Sequence, residues 1–96
     1  MYIVTLKFSV NKSNAPQFME GHKAWIEQGI KDGVFALVGS LPDIGGGIIA
    51  HNVSRDELEQ RVKDDPFVAE QVVTADIMEF LPNRADERLS FLLPQG

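Results

Sequence analysis

The chain reads as one α+β domain: a four-stranded antiparallel sheet with two helices on one face, in the order β-α-β-β-α-β. Three observations predict this. Four segments carry strand patterning, at Tyr2–Ser9, Val34–Leu41, Gly47–Val53 and Val72–Leu81. Two segments between them, Pro16–Lys31 and the stretch opening at Ser54, space their apolar residues as helices do. At 96 residues, with no repeat, low-complexity stretch or internal linker, the chain has room for one modest core. This element order is the ferredoxin-like pattern.

Composition narrows the function. Hydrophobic residues make up 44% and charged residues 24%, the balance of a soluble globular protein. A formal net charge of -5 leaves no basic stripe to neutralise phosphates, which argues against nucleic acid and against an anionic membrane surface. The absence of cysteine removes disulfides, Cys-based zinc sites and thiol nucleophiles. Met1-Tyr2-Ile3-Val4-Thr5-Leu6 lacks the basic start and long apolar run of a signal peptide, and no stretch is apolar for long enough to span a bilayer. A cytoplasmic location is the expectation.

In the first strand Tyr2, Val4, Leu6 and Phe8 form an apolar face and alternate with Ile3, Thr5, Lys7 and Ser9. Asn11–Asn14 is a turn, and Asn14 with Gln17 resembles a capping box ahead of Pro16. On the first helix Phe18, Met19, Trp25, Ile26 and Ile30 fall on one arc, with Glu20, Lys23, Glu27, Gln28 and Lys31 largely opposite. His22 lies inside the apolar arc, where a polar ring needs partners for its nitrogens. Asp32-Gly33 closes the helix.

Val34–Leu41 is apolar nearly throughout, which places it centrally in the sheet. Gly39 within it marks a bulge or a close approach to the backbone, and Ser40 adds a small hydroxyl. Pro42–Gly46 is a hairpin loop, and Gly45-Gly46-Gly47 is no phosphate loop, lacking the Lys-Ser/Thr tail and a following helix. Ser54 with Glu57 three residues on is a capping box. Leu58 and Val62 give the second helix a narrow apolar seam, and it ends at Asp64-Asp65-Pro66. The fourth strand sets Val73, Ala75 and Ile77 against Val72, Thr74, Asp76, Met78 and Phe80.

An Asp before a Pro starts a helical turn, since the carboxylate accepts free N–H groups and the Pro surrenders one. Asp65 is therefore a cap pinned near the sheet. It is also a fixed carboxylate able to orient His22 if the two meet. The plain alternative is a core histidine bonded to a backbone carbonyl. A pocket between sheet and helices is the natural site. Apolar residues on the uncovered sheet face predict a homodimer, two sheets face to face enclosing a barrel-like interior. The tail, residues 83–96, carries Phe91, Leu92 and Leu93. It is expected to pack on the domain or the partner subunit, with Asn83 capping a short helix through Leu89.

The chain resembles the YciI-like family (YCII-related domain) of the dimeric α/β-barrel superfamily over residues 1–82. The resemblance rests on Tyr2-Ile3-Val4, on Gly21-His22-Lys23-Ala24-Trp25-Ile26, on Gly33–Ser40 and, most specifically, on Asp64-Asp65-Pro66-Phe67-Val68. Ser40 stands where the family usually has Pro, and the loop to the third strand is shorter. The resemblance implies a homodimer with a pocket in each subunit, lined by His22 and Asp65. It also implies elimination or isomerisation of small cyclic or aromatic metabolites.

An imidazole titrates near neutral pH, about 6.5 in the free side chain, which suits His22 to general acid/base work. Asp65 would orient it and stabilise the imidazolium. Gly39 or Ser40 offers a hydrogen bond to a substrate oxygen, and Trp25 and Phe67 offer walls for a flat ring, though each also reads as core. The spacing of His22, His51 and Asp65 matches no metal-ligand motif, so no cofactor or metal is expected. His51 belongs on the surface or at the dimer interface. The competing class is a non-catalytic dimer that binds a small metabolite or serves a larger enzyme.

Overall fold

The structure, a computed structural model, describes residues 1–94. Its elements are β1 (Tyr2–Phe8), α1 (Ala15–Lys31), β2 (Phe35–Leu41), β3 (Gly45–Ala50), α2 (Arg55–Lys63), α3 (Pro66–Ala69) and β4 (Val73–Glu79). Short 3-10 turns precede α1 at Lys12–Asn14 and follow β4 at Glu87–Leu92. The sheet is antiparallel with order β2-β3-β1-β4, an α+β architecture compatible with the ferredoxin-like pattern.

Alternation along the strands sends Val4, Leu6, Ile48, Ala50 and Val73 into the core, where they meet Leu58, Val62 and Phe67 from the helices. The opposite face carries no helix. There the register aligns Leu37, Ile49, Ile3 and Met78 in one row across all four strands. Leu37 and Met78 are 66% and 58% exposed, so the row is apolar and largely open.

β2 is an edge strand, not the central one its apolar run predicts. The run arises because both of its faces are apolar. A register shift between Phe35 and Leu37 turns Phe35 and Val38 inward and Leu37 outward. That bulge, and not Gly39, is the irregularity in the strand; a side chain at Gly39 would meet open space. β3 begins two residues earlier than the glycines predict, at Gly45. The turn is tight, with Ile44 N–H bonded to Leu41 C=O at 2.9 Å and Asp43 at φ 66°. Gly45 can then pair with Lys7 only because it lacks a Cβ, which would collide with the Leu6 carbonyl.

Ser54 Oγ caps α2 by accepting Glu57 N–H at 3.1 Å, as its local sequence requires. Asn14 makes no side-chain cap, because the preceding 3-10 turn runs straight into α1 and holds Asn14 out of the extended conformation a cap needs. Trp25 Nε1–H bonds the Arg61 carbonyl at 2.9 Å, and the Arg61 guanidinium reaches Asp32 Oδ2 at 3.0 Å, so α2 is clasped to the C-terminal half of α1. Gln28 first, and then Arg61, hold the Asp32 carboxyl below its ordinary value of 3.8. A depressed carboxyl contributes fully above its unfolded value and is lost as pH falls through the lower folded one, so this clasp weakens only in acid.

In the tail, Asp86 caps the 3-10 turn through Arg88 N–H at 2.9 Å, in place of the predicted Asn83. Asp86 also pairs with the Arg88 side chain, which stabilises that start point. Leu92 and Phe91 line a groove with Leu37, Ile49 and Phe80 at one end of the open face. The predicted tail extends to residue 96, of which 95 and 96 lie outside the described residues. No helix among the described residues is long and apolar enough to cross a membrane.

Candidate functional site

Two glycines on α1 set its distance from its neighbours. A Cβ on Gly29 would lie 2.2 Å from the Phe35 ring, so the C-terminal half of α1 sits tightly on β2. A Cβ on Gly21 would lie 3.0 Å from Pro66 Cγ, so α3 nests against the N-terminal half. That nesting brings the residue before Pro66 beneath the residue after Gly21.

Asp65 is fully buried, and its Oδ1 accepts Phe67 N–H at 3.0 Å, capping α3. The same oxygen lies 2.8 Å from His22 Nδ1. An acceptor already engaged by a backbone N–H takes a second donor here, which places the imidazole hydrogen on Nδ1 and the lone pair on Nε2. Asp65 Oδ2 is buried without a partner. The His22 ring stacks on Phe67 with centroids 3.9 Å apart and planes 4° from parallel, so Asp65 and Phe67 together fix both its rotation and its plane.

The His22 side chain is 14% exposed. Its Nε2 makes no hydrogen bond and is not among the sealed atoms. His22 lines a cleft of about 530 Å³ between the N-terminal half of α1 and the helix-side face of the sheet, beside the β2–β3 turn. Its walls include Phe8, Met19, Ile26, Val38 and Phe67, with Gly39 and Ser40 on the strand side. This explains why Met19 and Ile26, apolar and on the inner arc, stay partly open: they face the cleft and not a packed core.

Of the six residues the sequence marks, the structure brings His22, Gly39, Ser40 and Phe67 to the cleft, with Asp65 directly behind His22. Trp25 is not in it. Its ring lies 6.0 Å from His22 on the far side, edge-on to Phe35, with its N–H committed to Arg61. Trp25 lies at one edge of the apolar arc, about 60° round the helix from His22 on the side away from Met19 and Ile26, and this turns it into the α1–α2 seam. His51 meets Phe91 of the tail edge-on at 5.5 Å. Sequence reasoning missed Lys12 and Lys23, which stand at the cleft, and Gly21 and Gly29, which position it. Glycine inside a helix is the one signal that marked the last two, since it lowers helix stability unless packing needs it. Among the described residues no three His, Asp or Glu side chains cluster as metal ligands do.

No protein-family model matches the chain, and no curated protein matches it in sequence.

Proposed function

We propose that the domain is a small-molecule enzyme of the YciI-like, dimeric α/β-barrel kind, with His22 as general acid/base and Asp65 as its orienting partner. One observation carries this reading: Nδ1 is engaged by a buried carboxylate, Nε2 makes no hydrogen bond, and the ring lines an apolar cleft. In the forward step Nε2 takes a proton from a ligand carbon, and the C–H electron pair becomes a new double bond. In an elimination the leaving group departs with its own electrons. In an isomerisation the imidazolium returns the proton at another carbon. Asp65 stabilises the imidazolium between the steps, and the sealed Oδ2 keeps that negative charge close by. The substrate class is a small cyclic or aromatic metabolite, sized to a cleft walled by Phe8, Met19 and Phe67.

The test is a screen of small ring acids, lactones and phenols with the wild type and Asp65→Asn. Asn also caps well, but its amide nitrogen would take the sealed, unpartnered Oδ2 position, so folding stability should fall by about 1–3 kcal/mol. Loss of the charged partner should lower kcat by about ten- to a hundredfold, the worth of one charge-assisted hydrogen bond. Equal turnover by the two proteins would remove Asp65 from the mechanism. Binding without turnover across the screen would favour a metabolite-binding module.

The apolar row on the open sheet face supports a homodimer formed face to face through that surface. Met78→Asp adds a charge to that row at an exposed position with little effect on the fold. It should turn a sedimenting dimer into a monomer at micromolar concentration. A wild type that sediments as a stable monomer would rule out the dimer.

A further inference from the structure

The cleft differs in charge from the chain that forms it. The chain has 14 acidic and 9 basic residues, a formal net charge of -5. Yet no Asp or Glu lines the cleft, while Lys12, Lys23 and His22 do. Asp65 is close but sealed from it behind His22 and Phe67. Among the described residues neither lysine forms an ion pair. Lys12 is further held in place: its Nζ lies 4.5 Å from the centroid of the Phe8 ring, a cation–π seat on a wall of the cleft. Lys23 follows His22 on α1 and lines the same cleft. Below these cations the walls are apolar, with Met19, Ile26, Val38 and Phe67.

We infer that the cleft takes a small organic acid: an apolar, ring-sized body with one carboxylate, the body packed beneath His22 Nε2 and the carboxylate held between Lys12 and Lys23. This rests on the cleft being the substrate site and names the class of substrate. A carboxylate fits better than a phosphate, because the site offers two point charges and no arginine fork. The two cations also bear on the chemistry. They attract an anion that the protein's net charge would otherwise repel, and they stabilise negative charge that grows on the ligand as a neighbouring carbon loses its proton.

The test compares phenylacetate with its neutral isostere phenylacetamide by NMR titration of the folded chain, in the wild type and in Lys12→Gln/Lys23→Gln. Both lysines are exposed, so the double variant should fold normally. The wild type should bind phenylacetate about three- to tenfold more tightly than phenylacetamide at low salt, the scale of two solvated ion pairs. That preference should shrink in high salt and vanish in the double variant. Equal affinity for the two probes, with shifts at His22, would overturn the organic-acid inference and leave the proton-transfer reading standing. A preference that survives the double substitution would also overturn it. Binding of neither probe would overturn it together with the reading of the cleft as a ligand site.

Discussion

His22→Ala is expected to lower kcat by about 10²–10⁴-fold, the usual contribution of a positioned acid/base group. The residue is not inert in the fold, so the substitution must be read in two parts. Alanine removes the stack on Phe67 and one of the two donors to Asp65 Oδ1. A buried carboxylate that loses a donor costs about 1–3 kcal/mol. His22→Gln separates the effects. Its amide can still donate toward Asp65 and fill part of the ring's space, so much of the stability should return. Its amide nitrogen has no basic lone pair, so turnover should not return. Thermal melts beside kcat measurements distinguish a folded, inactive His22→Gln from an unfolded one. Retained turnover in either variant, or an unfolded His22→Gln, would make His22 a core residue and nothing more.

The second large effect is expected at a residue far from the chemistry. Gly29→Ala should destabilise the domain by about 1–3 kcal/mol, the range for an overpacked core, or about 4–8 °C in Tm per kcal/mol for a domain of this size. The new Cβ would lie 2.2 Å from the Phe35 ring, and Phe35 is buried with Trp25 against its edge, so the ring has little room to retreat. The gain in helix propensity from Gly to Ala, about 1 kcal/mol, works the other way and sets the sign test. On an open helix face Gly29→Ala would stabilise; at this seam it should not. Phe35→Leu trims the ring, so the double variant should be less destabilised than the two single effects combined. An unchanged or raised Tm for Gly29→Ala would mean that α1 does not rest on β2 as described.

What was legible in the sequence was governed by neighbours along the chain. Ser54 caps α2 and Asp65 caps α3 because each side chain needs only to reach an N–H two or three residues on. Strand alternation and the helical arc follow from backbone geometry, so the element order and the inward placing of Val4, Leu6 and His22 could be read directly. Where the sequence misled, the surrounding structure had intervened. Asn14 looked like a cap until the 3-10 turn before it is known, and Asn83 until Asp86 is seen to pair with Arg88. The apolar run of β2 looked central, but apolarity reports what a strand's two faces meet and not how many strands flank it.

The site itself depends on distances across the sequence. A helical wheel gives each residue an angle about the axis but no height above the sheet. It sets Trp25, in the α1–α2 seam, about 100° from Ile26, in the cleft, but does not say which neighbour each direction meets. Height is set where α1 touches other elements, at Gly29 on Phe35 and Gly21 on Pro66. By themselves the residues determined a β-α-β-β-α-β chain with a histidine on an inner helical face and a capped aspartate before its last strand. Only the tertiary structure decided that the two lie 2.8 Å apart across 43 residues, that Nε2 is left without a hydrogen bond, and that Lys12 and Lys23 line the same cleft. The reason is physical: caps and periodicity are short-range consequences of backbone geometry, whereas a cleft is a gap left between elements, and packing between residues far apart in the chain sets its width.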